Sequence, residues 1–229
     1  MDRSRRVTRD LPASAPARVL AVLEHVAGGG STANLSELAR TTGLNRITLM
    51  RLLADLTEEG VLERTGAGHR VGQRLLLLSA AALSGQELTS LGQRTLDGLS
   101  AALGVSAYLV VAEDDRITYL LRAIPDTPLV SQVTVGTVVP IDATTGGRAV
   151  LAARAGDRAP VFWSRSGYEP GIDSVAAAVV RPDGAPVAAV SLAAPSGRLD
   201  HSPARRAEVE DALITAVADL GALLGAARG

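Results

Sequence analysis

Apolar residues recur at helical spacing through the first third of the chain and at alternate positions through much of the rest. Val19, Leu20, Val22, Leu23 and Val26 predict the buried side of a helix over Ala15–Ala27. Gly28-Gly29-Gly30-Ser31 then reads as a flexible connector. No strand precedes it and no lysine follows, so it is not a phosphate loop. A second helix is expected after Asn34-Leu35-Ser36, with Ser36 as N-cap and Glu37 in the first turn, where the helix dipole favours an acid. Gly43 permits a tight turn and Asn45 caps a third helix. Along that helix Leu49, Leu52, Leu53 and Leu56 form one stripe, which leaves Arg46, Ile47, Met50 and Arg51 on the other side. After Gly60, the runs Val61–Arg64 and His69–Val71 flank a Gly66-Ala67-Gly68 turn and read as a two-stranded ribbon.

From Gly72 the pattern is helical again. Leu75–Leu83 is strongly apolar, and Leu88–Leu103 carries Leu91, Leu96, Leu99 and Leu103 on one side. An apolar connector helix needs a partner to leave water, so this region predicts dimerisation. After Gly104 the period changes to two. Val105–Ala112 and Arg116–Ile124 flank the turn Glu113-Asp114-Asp115, and Leu129–Val135 is expected as a third strand closed by Gly136. Val175–Val180 and Pro186–Leu192 flank Pro182-Asp183-Gly184, a strong hairpin signal. A last helix is expected over Pro203–Ala226.

Two short helices about a tight turn, followed by a ribbon, is the layout of a winged helix-turn-helix, whose second helix enters the DNA major groove. The predicted fold class is therefore α+β. An Arg-bearing arm covers 1–14, a winged helix-turn-helix 15–73, a helical linker and dimerisation region 74–103, and an α+β domain with an antiparallel sheet 104–229. The candidate DNA-contacting residues are Asn45, Arg46, Ile47, Thr48, Met50 and Arg51 on the third helix, with Arg64 and Arg70 on the wing. Arginines suit phosphate or guanine, and Thr48 suits phosphate or a base edge. Ile47 and Met50 either touch thymine methyl groups, extend the core stripe or pack on the wing.

Composition adds constraints. Hydrophobic residues make up 47% and charged residues 21% of the 229 positions, a core-forming balance. Aromatics are only 2%, so the core must be Leu, Val and Ala. The absence of cysteine removes disulfides and thiol chemistry. Net charge is −1, yet residues 1–72 hold ten arginines against eight acids, a small basic excess where DNA contact is expected. No apolar run is long enough for a membrane span, and no signal-peptide pattern follows the first arginines, so a cytoplasmic protein is expected. An enzyme is the rival class. However, His25, His69 and His201 are scattered with no metal-ligand spacing, no Gly-x-Ser-x-Gly elbow occurs, and Asp114-Asp115 falls in a hairpin turn. No catalytic residue, metal or cofactor is expected.

Several ordered motifs resemble the IclR family of bacterial transcription regulators. Leu35–Leu44, Arg51–Leu53, Glu59-Gly60 and His69–Gly72 are similar to its DNA-binding part. Val135–Ala152, Glu169–Ala177, Ala188–Pro195 and Arg198-Leu199 are similar to its effector domain. The resemblance implies a GAF-like C-terminal domain and a dimer or dimer of dimers. Such a protein binds palindromic double-stranded operator DNA, often as a repressor, under control of a small metabolite, an aromatic or a carboxylate. It places the effector beside Ala143, Thr144, Thr145, Gly146 and Gly147, where free N–H groups at a helix start would attract a carboxylate. Ser174 and Ser191 would face it from the strands, with Leu129 and Val133 as apolar walls.

The chain departs from the family pattern in three places. The segment over 153–168 is shorter than is usual, Ala193 replaces a serine, and Ile47 replaces a polar residue. The shortened segment leaves the cleft more open, suits a larger ligand, or marks a domain that only assembles. Phe162 and Trp163 serve there as a lid or as anchors of the loop itself.

Overall fold

The computed structural model describes residues 14–84, 86–126, 133–157 and 161–226, so Leu129 and most of the expected arm lie outside the described residues. The chain divides into two compact units, Met1–Leu83 and Ser84–Gly229.

In the first unit, α1 (Ala15–Ala27) is capped by Ser14, whose hydroxyl accepts the Ala17 N–H. Val22 and Val26 are buried, and Val19 and Leu23 pack beside them. Leu20 is exposed, because it falls outside the 19/22/23/26 stripe. The second helix, α2 (Leu35–Thr42), starts earlier than Ser36 predicts. Asn34 is the cap, with its Oδ1 accepting the N–H groups of Ser36 and Glu37, so Ser36 lies inside the first turn. Gly43 takes the left-handed conformation at φ 72° that ends the helix. Asn45 caps α3 (Arg46–Glu58) by accepting the Thr48 N–H at 2.8 Å. Strands β1 (Leu62–Thr65) and β2 (Gly68–Val71) pair antiparallel as the wing. Leu38, Leu49 and Leu62 are fully buried together with Val22, each side chain contributing about 1.5–3 kcal/mol by leaving water. Then α4 (Gln73–Ser84) follows, with Leu76, Leu77, Leu78 and Leu83 exposed.

The second unit is a six-stranded antiparallel sheet. Its strands are β3 (Ser106–Glu113), β4 (Arg116–Ala123), β5 (Val138–Pro140), β6 (Phe162–Arg165), β7 (Ile172–Val180) and β8 (Pro186–Pro195), in the order β5-β4-β3-β8-β7-β6. One face packs on α5 (Glu87–Leu103) and α7 (Pro203–Ala226), the other on α6 (Thr145–Arg154). The apolar side of α5 buries Leu96, Leu99 and Leu103 against this unit's own sheet. The apolar side of 88–103 therefore finds cover within its own unit, whereas the leucines of α4 do not.

Two strand expectations change. The described part of the 129–135 run is not a strand: Val135 and Gly136 form a turn, Gly136 at φ 88°, and pairing begins at Val138. Conversely, Phe162–Arg165, expected as loop, is the edge strand β6, paired with β7.

Candidate functional site

On the first unit, the α3 cap sets the reading surface. Arg46, Ile47, Met50 and Arg51 all point away from the Leu49/Leu53/Leu56 core. Ile47 is 82% exposed and Met50 59%, so neither extends the core. Among the described residues Arg46 has no acidic partner, and Arg51 meets Asp55 only at 3.9 Å between two exposed side chains. Thr48 is half-buried, and Asn45 Oδ1 is committed to the cap.

The wing arginines differ from each other. Arg70 is held by Glu63 directly across the ribbon through two 3.0 Å bonds, Nε to Oε2 and Nη2 to Oε1. Arg64 is exposed with no such clamp. His69 Nδ1 lies 2.9 Å from Thr32 Oγ1, tying the wing to the turn ahead of α2. Burial and then the nearby Arg64 charge push the His69 pKa below its ordinary value.

The second unit has a cleft between the start of α6 and the sheet. Thr144, Thr145, Ser174 and Ser191 line it, as the sequence suggested, and Val133 supplies an apolar wall. Thr145 Oγ1 donates to Ser174 Oγ at 3.2 Å and lies 3.4 Å from Ser191 Oγ, so these hydroxyls form one network. Ala143, Gly146 and Gly147 do not line it. Gly146 packs against Val110, and any side chain at Gly147 would run into the Ile141 carbonyl, so both glycines let the helix start approach its neighbours. The helix start is also less open to an anion than expected, because Thr144 Oγ1 already accepts the Gly147 N–H.

Sequence reasoning missed the aromatic part of the cleft. All three tyrosines of the chain, Tyr108, Tyr119 and Tyr168, line it, joined by Glu169. Tyr108 and Tyr119 meet edge to face with centroids 5.5 Å apart. A bulge makes this possible. Leu109 pairs with Leu121 but Val110 with Tyr119, so Ile117 and Tyr119 face the α6 side while Leu120 and Leu121 pack on the other. Burial, then the acidic groups of Tyr168 and Tyr108, hold the Tyr119 phenol well above its usual pKa, against a hydrogen bond with Thr144. The available signal was the scarcity of aromatics: three tyrosines in so aliphatic a chain mark a special environment.

Tyr168 and Glu169 sit on the β6–β7 turn. Buried Asp173 holds that turn, accepting the N–H groups of Ser166 and Gly197 and the Ser196 hydroxyl. Trp163 is an anchor of β6. Its Nε1 donates to Glu210 Oε1 at 2.6 Å, and the Arg206 guanidinium stacks 4.6 Å from the ring centre. The free volume enclosed in the cleft is about 30 Å³, on the order of a water or two.

The model of the IclR helix-turn-helix domain matches residues 15–66, and that of the bacterial transcriptional regulator IclR C-terminal domain matches 80–170. The chain belongs to the IclR family. It is similar to the glycerol operon regulatory protein of Streptomyces griseus, 29% identical over 137 residues, which cover 59% of this chain and 54% of that protein. It is also similar to the transcriptional regulator TtgV of Pseudomonas putida, 30% identical over 139 residues, covering 60% and 53%. The matched stretch thus spans about half the length of these relatives. Among solved structures, an IclR regulator from Silicibacter sp. TM1040 superposes with a TM-score of 0.79 at 24% identity, covering 93% of this chain and 96% of that one. An IclR homolog of Microbacterium hydrocarbonoxydans, solved with 4-hydroxybenzoate, gives 0.73 at 22% identity, covering 93% and all of that chain. At these identities the superpositions establish the IclR fold.

Proposed function

We propose that the chain is a cytoplasmic, sequence-specific transcription regulator. Its α3 enters the major groove of operator DNA, and its second unit senses a small molecule in the α6 cleft. The observation that carries this is the outward surface of α3: two guanidinium groups beside the exposed apolar pair Ile47 and Met50. Such exposure is costly in water, and it is explained by contact with thymine methyl groups and phosphates. On the wing, Arg64 is the stronger phosphate contact, because Glu63 already neutralises Arg70. A homodimer or dimer of dimers presents two such helices to a palindrome. The apolar face of α4 is its natural seam.

Effector sensing rests on the built cleft and on the Microbacterium homolog, in which the same fold was solved with a small aromatic acid. The test is a footprint of the full chain on promoter fragments, repeated with candidate metabolites. Protection of a palindrome that one metabolite class shifts supports both halves of the reading. Absence of any preferred fragment at low salt removes the regulator reading. Among the described residues no His, Asp and Glu cluster could hold a metal, and no helix is long and apolar enough to cross a membrane.

A second reading, in which the second unit only assembles the protein, is favoured by the small enclosed volume of the cleft. Protection that no metabolite alters supports it.

A further inference from the structure

We infer that the α6 cleft runs on past Ala193 to Ser106, and that its ligand sets a neutral hydroxyl group there, between Ser106 and Ser174. This rests on the reading of the cleft as an effector site and names the chemical class of the ligand.

The first ground is an orphaned group. Among the described residues, Ser106 Oγ is the buried side-chain oxygen that has no hydrogen-bond partner, and Ser106 is 1% exposed. A buried hydroxyl left in that state costs stability, so its persistence calls for a reason.

The second ground is where the sheet puts it. Along β3 and β8 the register is unbroken from Ser106 opposite Ala193 to Tyr108 opposite Ser191. Side chains alternate along a strand, so Ser106 shares the α6 face with Tyr108, Ser191 and Ala193. On β7, Ser174 is the other neighbour of Ala193. Ser174, Ala193 and Ser106 therefore form one row across three strands, and the first two line the cleft. The methyl group of Ala193 can bond to neither serine. Ser174 and Ser106 stand two strand spacings apart, about 9–10 Å at the backbone. Each Cβ–Oγ arm shortens that span, and one oxygen seated over Ala193 can bridge it with bonds of about 2.8 Å.

The third ground is donor and acceptor balance. Thr145 Oγ1 donates to Ser174 Oγ, which leaves the Ser174 proton to give away. A ligand hydroxyl accepts that proton and donates its own to Ser106, so the chain of hydroxyls closes. An ammonium group has no lone pair to accept with. A carboxylate could accept from both serines, but it would bring a full charge to a lining that holds no arginine, lysine or histidine among the described residues. Nor is the start of α6 close by. Gly146 packs over Val110, two rows of the sheet away from Ser106. The enclosed space of about 30 Å³ also suits a group the size of a hydroxyl, with the body of the ligand toward the mouth.

Three probes with one ring and different head groups test this: phenol, fluorobenzene and benzoate. Each is titrated calorimetrically into the full chain and into its Ser106→Ala and Ala193→Ser variants. Phenol is expected to bind about tenfold tighter than either analogue. In Ser106→Ala its affinity should fall about tenfold, to the level of fluorobenzene, whose own affinity stays the same. Thermal melts without ligand separate this from a structural role. Ser106→Ala should melt no lower than wild type, because it removes an unsatisfied group. Ala193→Ser should melt about 2–4 °C higher, because it gives both serines a partner, and it should lose the preference for phenol. A clear drop in the melting temperature of Ser106→Ala overturns the inference, since the hydroxyl would then serve the fold. So does a phenol preference that survives in Ser106→Ala, equal or tighter binding of fluorobenzene or benzoate by wild type, or no binding by any probe. Operator footprints on the same samples keep the two readings apart. Phenol bound through Ser106 with no ligand-dependent footprint strikes the effector reading and leaves the subsite. A footprint that responds equally to all three probes strikes only the subsite.

Discussion

Thr32 Oγ1 and His69 Nδ1 lie 2.9 Å apart, and this one contact joins the wing to the turn that launches α2, 37 positions earlier. Gly68, beside His69, sits so close to Thr32 that a side chain there would displace it. Buried Leu62 anchors the wing in the core, and this small polar joint, which titrates, ties it to the turn before α2. The folded state lowers the His69 pKa, so it favours the neutral ring. The resulting stability is fully present above the unfolded value of 6.5 and is lost as pH falls through the lower folded value. Thermal melts between pH 8 and pH 5 should show a decline below about pH 6.5 that is shallower in His69→Gln. Thr32→Val should cost about 0.5–1.5 kcal/mol at neutral pH. An identical pH dependence in wild type and His69→Gln would remove the joint from this role.

Much of this architecture was legible in the sequence because its signals are local. The helical stripe of α3, the Asn45 cap, the Asp183-Gly184 hairpin and the span of α7 depend only on neighbours a few residues away. Leu20 was misjudged beside its neighbour Val19, and the α2 cap by two positions, because Asn34 and Ser36 are both good caps and compete for the same role. The cleft was half legible: its hydroxyls follow the motif at the start of α6. Its tyrosines come from β3, β4 and a distant turn, and a one-residue bulge decides that Tyr119 faces inward. Trp163 could not be placed from sequence, because its partners Glu210 and Arg206 lie more than forty residues away. Nor could the cover over α5, which depends on how the sheet curls beneath it.

Arg46→Ala and Arg51→Ala should each weaken operator binding by about 1–3 kcal/mol and reduce the salt slope by about one. Both side chains are exposed, so the fold should be unaffected. Arg64→Ala should weaken binding more than Arg70→Ala, because the Arg70 guanidinium is already committed to Glu63. Fluorescence anisotropy over a range of salt concentrations measures all four. A larger loss in Arg70→Ala would mean that Glu63 releases it on DNA.

Gly147 is a packing position. Its Cα faces the Ile141 carbonyl in the one-turn 3-10 helix Ile141–Ala143 just ahead of α6. Gly147→Ala should force that turn away from α6 and destabilise the second unit by about 1–3 kcal/mol. Gly98, on an open part of α5, is the control. Gly98→Ala should be neutral or stabilising by up to about 1 kcal/mol, since alanine is the better helix former. Urea titration followed by circular dichroism compares them. A Gly147→Ala protein as stable as wild type would show that the joint between the turn and α6 has slack.

The exposed leucines of α4 are the last unbalanced feature. Leu76, Leu77 and Leu78 are each about 60% exposed, and three adjacent apolar side chains cover more than half the circumference of a helix. No single packed neighbour could cover that arc, so a seam between copies would use part of it and leave the remainder at the rim. Leu76 and Leu83, seven residues apart, share one face, and that face is the best candidate for the seam. Burying a leucine there is worth about 1.5–3 kcal/mol per side chain. Leu76→Glu with Leu83→Glu should therefore raise the dimer dissociation constant at least about a hundredfold. Leu77→Glu alone should do less. Sedimentation velocity across a concentration series gives the constants directly. Unchanged association in the double variant would move the seam to another surface.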